Sequence, residues 1–256
     1  MNIFVIGANS AIARCVMLNL KSDYKSARFF CCARNKNSFA KWSPRLGDTL
    51  NGAEFFDFTD FSKIPDSVMR ANSRLGSLDL VLIFHGASFD QTARESDFSN
   101  LLSCFNVNCL STLVFLQSLQ HIMAKQDTGT IAVATSVAGV RGRPKNFVYG
   151  SAKSAVSTYL EGLRSTLYHK GIKVYDLKLG PVDTPITKGE KKHFLFSSPK
   201  RVASTIVKIL RTKRYTSFVP QGWFWFFLIL KLIPESLFQR IPPLVEKSNS
   251  ELIIKL

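Results

Sequence analysis

Asn2-Ile3-Phe4-Val5-Ile6-Gly7-Ala8-Asn9-Ser10-Ala11-Ile12-Ala13 begins with five residues that read as a short buried strand, then a glycine turn, then a helical pattern running to about Leu20. Strand, tight turn and helix in that order is the context a dinucleotide phosphate loop requires. Backbone N–H groups at a helix start bind phosphate, and small residues let the backbone come close. Gly7, Asn9, Ser10, Ala11 and Ile12 are therefore candidate contacts to a dinucleotide. Ala11 and Ala13 stand where such a loop usually has glycine, and each adds one methyl group. A strand, turn and helix with no ligand would read the same way, so the rest of the chain has to decide.

Moving outward, Ala27 to Arg34 reads as a second strand ending in Arg34. An acid at the end of the second strand of a dinucleotide fold accepts from the ribose 2′-hydroxyl, whereas an arginine favours a 2′-phosphate and hence NADP. A solvated arginine at a strand end is the bland alternative. Glu54 to Asp60 suggests a third strand with Asp57 at its end, and residues 61–75 a helix. Leu78 to Ala87 reads as a fourth strand, continuously apolar as a parallel strand covered on both faces should be. His85, near its end, reads as a packed or hydrogen-bonded residue rather than a catalytic one. Residues 97–124 read as one long helix containing Asn106 and Asn108, two unfavourable mid-helix residues that call for a reason. Gly129 to Ala134 is a fifth strand, Tyr149 to about His169 a helix and Gly171 to Leu179 a sixth strand. Gly180 to Pro185 is a turn or loop. Ser198 and Pro199 cap a helix to about Arg211, and Arg214 to Pro220 supplies a last strand.

This alternation predicts an α/β chain, a Rossmann-type doubly wound parallel sheet in a single domain with a C-terminal apolar and basic extension. Ligands of such sheets bind at the carboxyl ends of the strands. Gly7, Arg34, Asp57, Gly86, Ser136 and Val182 all fall at such ends.

Ser136, Tyr149 and Lys153 form the candidate chemical unit. Tyr149 and Lys153 are four residues apart and share a helix face. Ser136 follows the apolar run of the fifth strand. A free tyrosine, with a pKa of about 10, is a poor acid or base at neutral pH. A neighbouring ammonium favours the phenolate and makes proton donation to a carbonyl feasible. A surface helix carrying an ordinary Tyr and Lys remains the alternative at this point.

Composition narrows the rest. The 256 residues carry 34 Lys/Arg against 18 Asp/Glu, a net charge of +16, which points to an anionic partner. No nucleic-acid recognition motif accompanies that charge. The five cysteines show neither a CxxC pair nor a metal-ligand spacing, and Cys31 and Cys32 read as core thiols. The first apolar run ends at Gly7, too short for a secretion signal, so a cytoplasmic location is expected.

Taken together, these residues resemble the short-chain dehydrogenase/reductase family over about residues 2–219. Gly7-x3-Ala11-Ile12-Ala13 is similar to the family's Gly-x3-Gly-x-Gly, and Asp57 with Phe58 to its adenine contact. Asn108 matches the family's helix asparagine, and Ser136, Tyr149 and Lys153 its catalytic set. Val182 and Thr184 match the loop against the nicotinamide carboxamide. The family's Asn-Asn-Ala-Gly after the fourth strand survives here only as Gly86. The resemblance implies Tyr149 as general acid/base and Lys153 as both its activator and a holder of the nicotinamide ribose. It further implies Ser136 on the substrate oxygen, Asn108 completing a proton path, and NADPH/NADP+ as cofactor. The loop motif, the Gly86…Asp90-Gln91 stretch, Ser136 to Pro144 and the tail also resemble the decaprenylphosphoryl-2-keto-ribose reductases within the family. That narrower likeness implies a keto-sugar on a polyprenyl phosphate as substrate, a role in building cell-envelope polysaccharide, and a partner flavin oxidase.

The tail, residues 220–256, contains Gly222 to Pro234 with Trp223 and Trp225. Its uncharged run ends at Lys231 and is too short to span a bilayer. Residues 188–256 hold 13 Lys/Arg and 4 Asp/Glu. Aromatic residues beside basic ones suit an anionic membrane surface, so peripheral attachment to the inner face of the membrane is expected. A homo-oligomer contact, a core helix and a lid over the substrate are the alternatives. The basic stretch Arg141 to Lys145 reads as a loop that a substrate phosphate could approach.

Overall fold

The computed structural model describes residues 1–87, 97–184, 187 and 196–240. Asp90, Gln91, Pro185 and the tail from residue 241 onward lie outside the described residues. Seven strands form one parallel sheet: β1 Asn2–Ile6, β2 Arg28–Ala33, β3 Leu50–Phe55, β4 Leu80–Ile83, β5 Gly129–Ser136, β6 Ile172–Leu179 and β7 Thr216–Val219. Their order is β3-β2-β1-β4-β5-β6-β7, and every neighbouring pair is parallel. The direction of winding reverses between β1 and β4, which opens a crevice at their carboxyl ends.

The strands are apolar on both faces because both faces are covered. Ile3 and Val5 point into one core, with α1 (Ala11–Asp23) and, late in the chain, Val202, Ala203 and Ile206. Phe4 and Ile6 point into the other. That second core is shared with α3 (Lys63–Leu75) and the helices that follow β4 and β5. Period-two alternation thus divides each strand between two cores. Between α1 and α3, a short α2 (Lys36–Ala40) starts at Asn35, whose side chain accepts from the Ser38 amide. No disulfide forms among the described residues, and Cys31, Cys32, Cys104 and Cys109 are buried.

Two elements differ from the reading above. The third strand runs Leu50–Phe55, so Asp57 lies two residues beyond it and not within it. β3 is a half-buried edge strand containing Asn51 and Gly52, so it lacks the apolar signature that the aromatic exit Phe55-Phe56-Asp57-Phe58 displays. The long helix after β4 is α4 (Phe98–Phe105), a π turn (Asn106–Leu110) and α5 (Ser111–Met123). The run Phe98–Met123 is long and apolar enough to cross a membrane. Here it packs as a core helix, with Phe115, Leu116, Leu119 and Met123 against the sheet.

After β5, a short turn leads to α6 (Phe147–Leu167), and β6 is followed by α7 (Pro199–Ile209), capped by Ser198 accepting from the Arg201 amide. Beyond β7 lie α8 (Trp223–Leu232) and α9 (Glu235–Phe238). These two join a small separate core of Val137, Phe227, Leu230 and Phe238.

Candidate active site

The crevice holds a cavity of about 430 Å³ lined by residues from β1, β2, β4, β5 and β6 and the segments that follow them. Gly7, Asn9, Ser10, Ala11 and Ile12 form one wall. Gly7 has φ +83°, and a Cβ there would fall 2.5 Å from the His85 amide nitrogen. Glycine is therefore required where the exits of β1 and β4 meet. The Gly7 and Ala8 amides both donate to the Cys32 carbonyl, at 2.9 and 3.0 Å, which tightens the turn. Ser10 makes no side-chain cap and the first turn of α1 carries no acid, so this helix start, which lines the cavity, has no anion of its own. The two alanines fit this loop: Ala13 is fully buried in the core and Ala11 forms part of the cavity wall.

At the β2 end, Arg34 lines the cavity as expected. Arg14, Asn35 and Ser38, not singled out from the sequence, join it there. The Arg14 guanidinium lies 5.4 Å from the Trp42 ring, and its buried Nε has no hydrogen-bond partner. Burial lowers its pKa, so the site holds a cation at some electrostatic cost. Asn9 bridges the wall to this end, donating to Asn35 O at 2.8 Å and accepting from Trp42 Nε1 at 3.2 Å. Two arginines, one of them with an unsatisfied buried N–H, thus share this end of the cavity. Opposite, Asp57 and Phe58 line the cavity. The Thr59 amide and hydroxyl both donate to Asp57 Oδ1 at 2.9 Å, and they hold its pKa below the usual carboxylate value.

Between the arginines and α6 sits His85. Its Nε2 lies 2.7 Å from Ser111 Oγ, and its ring packs edge-on to Phe58 at 5.0 Å. Burial, with Lys153 and Arg34 nearby, pushes its pKa down to about 3. It is a neutral, packed residue, in line with its sequence reading.

The far end of the cavity carries Tyr149, Lys153, Thr135 and Thr184. Ser136 ends β5, and its Oγ accepts from the Ala138 amide at 3.1 Å, capping the turn Val137–Gly139. Two glycines press this turn onto α6. A Cβ on Gly139 would fall 2.8 Å from the Ser154 amide nitrogen, and one on Gly150 2.7 Å from the Ala138 carbonyl. That close approach brings the end of β5 against the turn of α6 that bears Tyr149 and Lys153. The Lys153 ammonium lies 5.9 Å from the Tyr149 ring centroid. Lys153 is almost fully buried, and burial lowers its pKa to about 8, with Cys109, Cys104 and Asp176 opposing that fall.

Asn108 lies in the π turn, fully buried. Its Oδ1 accepts from the Ala87 amide at 3.1 Å, while its Nδ2 donates to Ala87 O at 3.0 Å and Cys104 O at 3.1 Å. Gly86 links Asn108 to the site, since a Cβ there would fall 3.0 Å from Asn108 Oδ1 and 3.5 Å from Lys153 Nζ. Asn108, Ser136 and Val182 are not among the residues that line the cavity; Ser136 is half-buried at the end of β5, and Val182 is buried and bridged to Ser197. Of the expected set, Gly7, Asn9, Ser10, Ala11, Ile12, Arg34, Asp57, Phe58, Gly86, Tyr149, Lys153 and Thr184 share one cavity.

One residue of the basic loop is already engaged. Arg141 is committed to the tail: it donates to Leu230 O and to Ile233 O (2.8 Å) and pairs with Glu235 at 3.0 Å.

A doubly wound parallel sheet with a tight glycine turn and a helix start at its switch point is the Rossmann-type architecture. The family model described as "short chain dehydrogenase" matches residues 1–194, and the chain belongs to that family. It is accordingly an NAD(P)-dependent oxidoreductase. It is similar to an "Uncharacterized oxidoreductase" of Staphylococcus epidermidis, 28% identical over 185 residues, covering 72% of this chain and 79% of the relative. Its fold is like that of a short-chain dehydrogenase from Streptomyces avermitilis, with TM-score 0.76 at 17% identity over 93% of this chain and 96% of that one. It is also like an actinorhodin polyketide ketoreductase solved with NADPH, with TM-score 0.72 at 18% identity over 82% and 90%.

Proposed function

We propose that the protein is an NADPH-dependent reductase of a ketone carried on a lipid. The observation that carries the chemistry is the buried Lys153 ammonium beside Tyr149 on the wall of a cavity whose other end bears Arg14 and Arg34. When bound, NADPH supplies the hydride. Tyr149 donates a proton to the carbonyl oxygen, and the neighbouring ammonium favours the phenolate that remains. Ser136 orients the oxygen at the end of β5. Asn108, fixed on Ala87, holds the proton path behind Lys153. Gly7 to Ile12 hold the pyrophosphate, Asp57 and Phe58 the adenine, and Val182 and Thr184 the nicotinamide end. The polyketide ketoreductase, solved with NADPH, supports the choice of cofactor.

The substrate reading rests on the apolar, basic tail and on the likeness of Ser136 to Pro144 to the keto-sugar reductases. A keto-sugar on a polyprenyl phosphate, left by a flavin oxidase and met at the inner face of the membrane, fits both. A keto-sphingoid or fatty acyl ketone fits the tail alone.

Tyr149→Phe should abolish turnover while NADPH still binds, as followed by cofactor fluorescence and NADPH oxidation. Retained turnover would remove the mechanism. A panel of polyprenyl-phosphate keto-sugars and lipid ketones then separates the substrates. Arg34→Ala should raise KM for NADPH about tenfold or more while leaving that for NADH nearly unchanged, since a charge-assisted contact to the 2′-phosphate is lost. Arg14→Ala should act in the same direction, and an unchanged NADPH/NADH ratio in both would point away from NADP.

A further inference from the structure

α8 is apolar all round as far as Lys231, yet only one side of it is packed. Trp223, Phe227 and Leu230 face inward with Phe218, Val137 and Phe238. The other side is left uncovered by the described residues: Trp225 is 66% exposed, Ile229 64% and Leu232 74%. These lie at i, i+4 and i+7, a single stripe along the helix. Phe224 and Leu228, and Leu237 from α9, widen it. Contiguous exposed apolar surface of this kind marks an interaction site.

Two observations identify the occupant. The first is length. The ten residues of α8 reach about 15 Å, half the roughly 30 Å of a bilayer's hydrocarbon core, so the helix can lie on a membrane but not cross it. The second is charge. The chain carries +16, so a second copy would bring an equal positive charge, whereas an anionic surface is attracted. Lys231 at the end of α8 and Arg240 just after α9 are both exposed. An apolar face with tryptophan and flanking cations suits the boundary between acidic headgroups and acyl chains.

The helix is also fastened to the candidate active site. Arg141 donates to the carbonyl of Leu230 in the last turn of α8 and to that of Ile233 just past it, pairs with Glu235, and its guanidinium sits 3.8 Å from the Phe238 ring centroid. The Arg143 guanidinium lies 5.5 Å from the Phe227 ring centroid. Both arginines belong to the loop between Ser136 and Tyr149. Trp223 packs on Gly180 at the exit of β6, where an added Cβ would fall 2.1 Å from the indole nitrogen. α8 is thus braced on both loops that flank the Tyr149 end of the cavity.

We propose that α8 docks on an anionic lipid surface through the Trp225–Ile229–Leu232 stripe. The Arg141 strap then holds the loop between Ser136 and Tyr149 within about one helix diameter, roughly 10–12 Å, of the lipid. The consequence for the site rests on the reductase reading; the docking itself does not.

The test uses the full chain with NADPH and two kinds of vesicle, phosphatidylcholine alone and phosphatidylcholine mixed with phosphatidylglycerol. The wild type should co-sediment with the mixed vesicles, with a blue shift in tryptophan emission, and bind pure phosphatidylcholine or high-salt samples at least about tenfold more weakly. A Trp225→Ser/Ile229→Ser/Leu232→Ser variant should lose sedimentation while oxidising NADPH with a small water-soluble ketone at the wild-type rate. No wild-type binding to either vesicle, or equal binding by the variant, overturns the proposal. So does a wild-type dimer that the variant converts to monomer without any vesicle effect, because the stripe is then a contact between copies. A chain that docks but reduces no ketone leaves docking standing and overturns the reductase reading instead.

Discussion

Lys153 occupies the cavity wall at a cost in stability. Its folded pKa of about 8 lies below the 10.5 of free lysine, and burial is the main cause. The folded state therefore binds fewer protons than the unfolded chain between those values, so stability rises with pH across that window and the full penalty applies below it. Lys153→Met should stabilise the fold by roughly 1–3 kcal/mol at neutral pH while abolishing turnover. The gap between variant and wild type should shrink from about pH 8 upward, which urea unfolding across pH would show; a variant no more stable than wild type at pH 7 would contradict this. At this scale the sequence was informative where spacing carries geometry. Tyr149 and Lys153 share a helix face by arithmetic, and Gly7 marks a turn by residue type. Arg14 was hidden because one arginine among 34 Lys/Arg has no distinguishing spacing, and only the fold brings it to the same cavity as Arg34.

Between elements, the seam of β5, β6 and α6 is held by buried polar contacts. Asp176, fully buried, pairs with Lys178 at 2.7 Å and accepts from the Thr135 hydroxyl, while Lys178 donates to Ser157 Oγ at 2.8 Å. The cluster joins two strands to the helix one turn beyond Lys153, and Thr135 itself lines the cavity. Asp176→Leu leaves the Lys178 charge uncompensated and should cost about 3–5 kcal/mol, whereas Asp176→Leu/Lys178→Met should recover most of that loss. Denaturant melts of the two variants check this; a double variant as unstable as the single would show that the pair is not the cause. Strand and helix alternation was legible because the central strands are covered on both faces. The edge strand β3 was not, because its half-exposed residues need no apolar run. The pair Asn106 and Asn108 signalled an irregular helix without revealing its form, since a π turn has no residue pattern of its own.

For the whole molecule, the sheet divides two large cores, and α8 and α9 hang on a third, much smaller one. Stability is therefore unevenly distributed. Phe227→Ala removes the central side chain of the small core and should cost on the order of 3 kcal/mol locally. Hydrogen exchange should then speed up over Leu228–Leu232 while β1 and β4 keep their protection and NADPH still binds. Uniform loss of protection would show that the tail is integral to the main fold. Composition and charge marked this tail as unusual, but not its attachment. The Arg141 strap joins residues about ninety positions apart, and no local pattern predicts such a contact.

The π turn amounts to one surplus residue in an otherwise regular helix, and its consequence is a rule about chain length. Removing any one residue from Asn106–Leu110 would let the segment close to ordinary α spacing, keeping α4 nearly in phase with α5 but re-aiming the side chains between them. Asn108 could then no longer hold Ala87 and Cys104 together, and the exit of β4 would lose its clamp. The stretch should therefore accept many exchanges of side chain away from Asn108 and almost no change in residue count, a constraint visible in deletions and invisible in substitutions.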